Sequence, residues 1–293
     1  MRFYLLDVFA EEKYAGNQLA VVRDAAALTS TQMQKIAHEM NFSETSFILS
    51  DEERNGGYDV RIFTPKEEVP FAGHPTLGTA YIIQREIVAK PVESVVLNLE
   101  VGQIPVTFNY RANQADVLWM KQKEPTFGNT VDPGRMANIL TISREEIDFR
   151  FPIQEVSTGL PCMIVPLRSL AATKRCKIVD ERYFDLIKDT VAKTILVFCL
   201  QTEKRANNLH ARFFANYYGI PEDPATGSAN GCLAGYLVRY RCFGRHEVKD
   251  ILVEQGYEID RPSLLHLTAQ EKEGKIEVSV GGKVLMVAAG VFV

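Results

Sequence analysis

The chain has 293 residues, 46% hydrophobic and 24% charged, with a formal net charge of −4 and a pI near 5.8. Those values fit a globular protein of about two domains whose cores need no disulfide staples. They exclude a collagen-like, mucin-like or disordered chain, and the scattered Lys and Arg residues form no basic stripe for nucleic acid.

The N-terminal apolar stretch is too short for a signal peptide. The apolar run 284–293 is about half the roughly 20 residues a membrane-spanning helix needs, and it reads as a buried strand. Cys162, Cys176, Cys199, Cys232 and Cys242 are odd in number and contain no Cys-x-x-Cys pair. That pattern predicts a reduced, cytoplasmic protein without a disulfide framework. The five histidines are equally dispersed, so no metal site is expected.

The chain opens with a predicted strand over 3–8, the turn Tyr14-Ala15-Gly16-Asn17 and a second strand over 19–22, a hairpin-like start. A helix follows. Thr29 is its N-cap, Gln32 its capping-box partner, and Leu28 and Met33 its hydrophobic staple. Met33, Ile36, Ala37 and Met40 recur at helical spacing until Asn41. Strands are predicted over 45–49 and 58–63. Pro70-Phe71-Ala72-Gly73-His74-Pro75 then turns into a second helix, with Pro75 placed at its first position. Strands return over 95–99, 104–110 and 117–121. The segment 123–134, with two prolines and two glycines, is the best linker.

The second half repeats this order. Strand, turn and strand over 154–167 precede a helix around 184–190 and strands over 194–200 and 209–214. Pro221-Glu222-Asp223-Pro224-Ala225-Thr226-Gly227-Ser228 then opens another helix. Arg61-Ile62-Phe63 aligns with Arg212-Phe213-Phe214, Gly73-His74 with Gly227-Ser228, and Ala80 with Ala234, the second loop being three residues longer. This suggests an internal duplication. Two such domains would face each other across a cleft, a common kind of ligand site.

The two glycine-containing helix starts offer unpaired backbone N–H groups, a partial positive charge and room for close approach. Together they could hold a carboxylate or a developing enolate; singly, each could be an ordinary cap. Other motifs fail on particular residues. Gly73 to Thr79 has phosphate-loop spacing, but Thr79 stands where lysine must be. No Gly-x-Gly-x-x-Gly follows a strand, and Gly227-Ser228-Ala229-Asn230-Gly231 is not a nucleophile elbow. Three acid–base candidates lie at element ends: Glu44, His74 and Asp223. Their bland alternatives are a solvated carboxylate, a loop-bonding histidine and an Asp-Pro turn former.

Gly16-Asn17-Gln18-Leu19-Ala20-Val21-Val22, Asn41-Phe42-Ser43-Glu44-Thr45, Arg61-Ile62-Phe63-Thr64-Pro65 through Pro70-Phe71-Ala72-Gly73-His74-Pro75-Thr76, and Glu222-Asp223-Pro224-Ala225-Thr226-Gly227-Ser228-Ala229 occur in one order. In these motifs the chain resembles the phenazine-biosynthesis PhzF family, which shares the fold of diaminopimelate epimerase. Gln18 stands where that family often has proline, and between about 85 and 205 only length and strand pattern match.

The resemblance implies an α/β (α+β) fold of two pseudo-symmetric epimerase-like domains. Each would be a curled sheet around a central helix, with the active site in the interdomain cleft. It places the domains at about 1–122 and 123–283, with the final strand, about 284–293, crossing back to the first. It puts the acid–base carboxylate on Glu44, supported by His74 and Asp223. Substrate binding falls to Ser228 and Asn17, beside the Gly73 and Gly227 helix starts. The epimerase branch uses two cysteines at positions that here read Ala72 and Thr226, so a two-thiol mechanism is excluded.

The family needs no metal, flavin, pyridoxal or nicotinamide cofactor, and a homodimer is implied. Neither a nucleic acid nor a membrane partner is expected. The function expected is that of a cofactor-independent isomerase acting on a small carboxylate through Glu44, whose pKa burial near Phe42 would raise. A hydrolase or lyase using the same carboxylate, and a non-catalytic small-molecule binder, are the alternatives.

Overall fold

A computed structural model describes residues 1–244 and 246–293. They divide into two compact units, Met1–Lys121 with Gly281–Val293, and Gln122–Val280. In chain order the elements begin with β1 (Arg2–Val8), β2 (Asn17–Val22), α1 (Ser30–Met40), β3 (Glu44–Ile48), β4 (Tyr58–Phe63), β5 (Glu68–Val69), α2 (Gly73–Ile82), β6 (Ser94–Leu99), β7 (Gly102–Arg111) and β8 (Gln114–Lys121). There follow β9 (Thr126–Thr130), α3 (Pro133–Leu140), β10 (Gln154–Ser157), β11 (Pro161–Pro166), α4 (Leu170–Arg175), α5 (Asp180–Ile187), β12 (Thr194–Cys199), β13 (Leu209–Ala215), β14 (Ile220–Asp223), α6 (Gly227–Arg239), β15 (Glu247–Gln255), β16 (Ser263–Lys272), β17 (Lys275–Gly282) and β18 (Val284–Val291).

In the first unit β1 pairs antiparallel with β2, β2 parallel with β3, β3 antiparallel with β4, β4 parallel with β6, and β6 antiparallel with β7. In the second unit β10, β11, β12, β13, β15 and β16 repeat that alternation of antiparallel and parallel pairs in the same order. The short strands β5 and β14 hang on β4 and β13 in the same way. The outer antiparallel partner of β1 is β18, and that of β10 is β9.

The side chains repeat with the strands. Arg61 on β4 grips Glu68 on β5 with two hydrogen bonds, at 2.6 and 2.5 Å, and lies 5.1 Å from the Phe63 ring centroid. Arg212 on β13 grips Glu222 on β14, at 2.9 and 2.7 Å, and lies 5.0 Å from the Phe214 ring. The sequence separations of the two pairs are 7 and 10 residues, so the three extra residues of the second half fall inside this turn. The duplication read from a few matching residues is therefore present as matching pairing and matching ion pairs.

Each unit carries a buried helix. In α2 every residue from His74 to Ile82 is buried, and in α6 nearly every residue to Val238 is. Helices that are apolar or small all round have no solvated face and sit inside their sheets. A Cβ on Gly78 would lie 2.4 Å from Cδ2 of Leu19, so glycine sets how closely α2 approaches β2. The first amphipathic helix forms as its sequence demands. Thr29 and Gln32 make a reciprocal capping box, Asn41 ends the helix in the left-handed conformation, and Met33 packs into the core with Leu28 against it.

Four expectations need correction. Pro75 is the third helical residue, because α2 starts at Gly73; its missing N–H still falls among donors that a first turn leaves unused. The proposed linker contains β9, paired with β10, and Asp132, which caps α3. The helix expected at 184–190 starts earlier, at Asp180, with two acidic residues in its first turn. The C-terminal run is a strand, but only Val284 in it is buried and Val291 is 62% exposed.

Candidate functional site

Glu44 is the first residue of β3 and pairs with Leu19 across the parallel β2–β3 ladder. Side chains alternate along a strand. Phe47, and therefore Thr45, faces the core around α1, whereas Glu44 points to the opposite face, toward α2. His74, the second residue of α2, meets it there. Its Nε2 lies 3.5 Å from Oε2 of Glu44 and 3.2 Å from the carbonyl oxygen of Gln18. A carbonyl can only accept, so Nε2 carries the proton and donates it to Gln18. Burial drives the pKa of His74 down to about 3, against the pull of that carbonyl. The imidazole is thus neutral at pH 7, and its N–H is held by the backbone beside a carboxylate.

The neighbouring residues follow from strand register. Asn17 is buried at the start of β2, opposite Val8 and next to Gln18. Gly16 before it has φ +69°, and a Cβ there would lie 2.4 Å from the Val8 carbonyl oxygen, so only glycine brings the chain into this turn. At the start of α2, the N-cap Ala72 has no side chain that can accept, Pro75 has no N–H, and the Thr76 N–H returns to the Ala72 carbonyl at 3.3 Å. Gly73 and His74 keep the first-turn N–H groups that have no intrahelical partner.

In the second unit Asp223 ends β14, opposite Phe213, and is buried. The Thr226 hydroxyl donates to its Oδ2. Thr226 is the N-cap of α6 but leaves the helix N–H groups uncapped, since its hydroxyl is turned to Asp223. Gly227 and Ser228 open the helix, and the Ser228 carbonyl accepts from the Thr158 hydroxyl at 3.4 Å. The structure thus joins Glu44, His74 and Gly73, with Asn17 one residue from the Gln18 carbonyl that anchors His74. It separately joins Asp223 with the Gly227–Ser228 helix start.

Sequence reasoning missed the groups that hold these residues. The Gln18 backbone carbonyl is one. Gln255, at the end of β15, donates through Nε2 to the Asp223 carbonyl at 2.9 Å and to Thr226 Oγ1 at 3.2 Å. Its separation from them is about thirty residues and no local pattern marks it. In the duplicated frame, however, Gln255 stands at the position where the first unit has the apolar Leu99, which is the signal that was available.

Also missed was a buried ionic cluster in the second unit. His210 lies between Glu254, at 3.1 Å, and Glu258, at 2.9 Å. Burial disfavours its charged form, but the two carboxylates prevail and raise its pKa to about 9. Glu254 also accepts the N–H groups of Glu203 and Lys204, so the cluster pins a loop.

No group of three or more His, Cys, Asp or Glu side chains suited to a metal ion occurs among the described residues. Among those residues no helix is long and apolar enough to cross a membrane.

The chain is similar to known proteins along nearly its whole length. The family described as phenazine biosynthesis-like protein matches residues 6–290. An uncharacterized isomerase of Clostridium acetobutylicum is 32% identical over 97% of this chain and 95% of its own length. Trans-2,3-dihydro-3-hydroxyanthranilate isomerase of Pseudomonas aeruginosa is 34% identical over 96% of this chain and 95% of its own. The crystal structure of a PhzF-family phenazine biosynthesis protein from Bacillus anthracis superposes with a TM-score of 0.91 at 28% identity, covering 100% of this chain and 99% of that one.

Proposed function

The chain belongs to the phenazine biosynthesis-like family and is an isomerase of that family, and from this premise we propose that it moves a proton between two carbons of a small carboxylate, with Glu44 as the group that takes and returns it. The observation that carries the reading is the pair formed by Glu44 and His74. A base must reach the substrate as a carboxylate, in a fixed direction, beside a group that will not quench it. The neutral His74 supplies that: its Nε2–H, anchored on Gln18, lies 3.5 Å from the carboxylate and steadies it. With a pKa near 3, His74 is not an imidazolium at neutral pH, so it does not compete with Glu44 as a charged acid. It is a positioning residue.

The substrate class is proposed from the named relative: an amino-cyclohexadiene carboxylic acid of the 2,3-dihydro-3-hydroxyanthranilate type. A ring C–H bond next to unsaturation breaks as Glu44 accepts the proton. The electron pair spreads through the double bonds, and the proton is returned from Glu44 to another ring carbon. Atoms and electrons balance without an added reagent. The N–H groups of Gly73 and His74, and those of Gly227 and Ser228, would bind the substrate carboxylate and the delocalised negative charge, with Asn17 and Ser228 as further polar contacts. We propose that the Asp223 loop also works on substrate.

The test uses trans-2,3-dihydro-3-hydroxyanthranilate in deuterium oxide. Wild-type protein is expected to convert it with no second product, and to place deuterium on the receiving carbon through exchange of the Glu44 carboxyl proton with solvent before it is returned. Glu44→Gln should keep the fold and lose both conversion and label. Full turnover in Glu44→Gln sinks the mechanism, and release of a second product would indicate a hydrolase or lyase.

A further inference from the structure

We infer that Gln255 is a positioning residue of the Asp223 loop, its carboxamide fixing the Thr226 hydroxyl so that the hydroxyl's only proton is donated to the Asp223 carboxylate. The inference rests on the reading that the Asp223 loop works on substrate.

A carboxamide offers two N–H donors and one oxygen with two lone pairs. At Gln255, which is fully buried, all are used. Nε2 donates to the Asp223 carbonyl and to Thr226 Oγ1, while Oε1 accepts from Asn230 Nδ2 at 2.8 Å and from the Thr226 N–H at 3.4 Å. The reversed amide would set donors against Asn230 Nδ2 and the Thr226 N–H, and an oxygen against the Asp223 carbonyl. One orientation satisfies the site. Thr226 Oγ1 then receives an N–H from Gln255, and its own proton points to Asp223 Oδ2. Asn230, also fully buried, locks the far end, since its Nδ2 donates both to Gln255 and to the Thr226 carbonyl at 3.0 Å.

The duplicated frame supplies an independent observation. Register carries Asp223 onto Val69, because Glu222 matches Glu68 through the paired arginines. The helix starts carry Thr226 onto Ala72 and Asn230 onto Thr76. Gln255 falls on Leu99, because Leu209 pairs with Val253 as Tyr58 pairs with Leu97. In the first unit none of this network exists, and Thr76 merely returns its hydroxyl to the Ala72 carbonyl at 2.7 Å. The same strand–turn–helix therefore forms with Val, Ala, Thr and Leu. The fold does not require the polar relay, and the relay accompanies the unit whose turn carries the acid.

The charged groups carried by the adjoining strands are already matched. Glu222 is held by Arg212, and Glu254, which precedes Gln255, is held by His210. A change in the titration of Asp223 on altering Gln255 would therefore report the relay.

The experiment follows the carboxyl carbon of Asp223 by 13C NMR against pH in four folded proteins: wild type, Gln255→Leu, Thr226→Val and the double variant. Loss of a hydrogen bond to the charged form raises a carboxyl pKa. Gln255→Leu and Thr226→Val are each expected to move the midpoint up by about one unit, which is about a tenfold change in the proton-binding constant. The double variant should move it no further than the larger single change.

An unchanged midpoint in Gln255→Leu, or fully additive shifts in the double variant, overturns the inference. If Gln255→Leu does not fold, Thr226→Val decides alone, and an unchanged midpoint there overturns it. In parallel, the rate–pH profile with trans-2,3-dihydro-3-hydroxyanthranilate should shift in the same direction. If wild-type protein neither converts nor labels that compound, the proposed function fails, while the titration still decides what Gln255 does to Asp223.

Discussion

His74 and Glu44, thirty positions apart in the chain, meet with Nε2 and Oε2 3.5 Å apart because β3 starts where α2 starts. The imidazole proton is shared with the Gln18 carbonyl, and burial keeps the ring uncharged. His74→Gln is therefore expected to lower kcat by up to about 10²-fold, the scale of a misplaced reacting group. The rate–pH profile of the wild type should show no ionisation near the ordinary histidine value that is lost in this variant. Such an ionisation would make His74 a proton carrier and contradict its assignment as a positioning residue.

The two buried histidines give the fold a bounded pH range. His74 has a lower pKa folded, about 3, than its ordinary 6.5, so the unfolded chain binds more protons between those values and stability falls as pH drops from 6.5. His210 has a higher pKa folded, about 9, so its stabilisation is complete below 6.5 and is lost as pH rises through 9. Glu254 and Glu258, both held below their ordinary value despite burial, add to the loss on the acid side. Urea midpoints measured against pH should peak near 6.5. In His210→Gln the decline above that pH should disappear. The variant should also be weaker at pH 6.5 by about 3–5 kcal/mol, because two buried carboxylates lose their cation.

No thiol is expected to act in turnover. Burial raises every cysteine: Cys232 to about 11, Cys176 and Cys242 to about 12, and Cys162 and Cys199 upward. Thiolate, the reactive form, is thus scarce at neutral pH. Treatment of the native protein with iodoacetamide should leave its isomerase activity unchanged. Rapid inactivation that bound substrate slows would reveal a thiol in the site.

Gly16→Ala tests the turn that delivers Asn17 and Gln18. Its φ of +69° costs an L-residue roughly 1–2 kcal/mol, and the new Cβ meets the Val8 carbonyl oxygen at 2.4 Å. Urea unfolding should show a loss of at least that size. An unchanged midpoint would mean that β1 and β2 tolerate a different turn.

Local chemistry alone determined much of this protein. Thr29, Gln32 and Asn41 bound α1 because caps act within four residues, and the helix starts at Gly73 and Gly227 were legible from the local proline- and glycine-containing turns before them, although neither has a side-chain cap. The repeated Arg-x-Phe and Gly positions disclosed the duplication. Motifs near 44, 74 and 223 pointed to the acids.

What tertiary structure decided was partnership across distance. Pairing of β2 with β3 sets Glu44 on the face where His74 arrives, and a one-residue change of register would turn it to the α1 core. Pairing of β13 with β15 brings Gln255 beneath a turn about thirty residues earlier in the chain, and it seats Glu254 on His210. Residues 126–130 of the segment 123–134 became a strand because β10 offered them a partner, where composition alone suggested a linker. Hydrogen bonds between distant strands leave no periodicity in a single sequence. A buried Gln in such a place looks like any surface residue until the sheet is assembled around it.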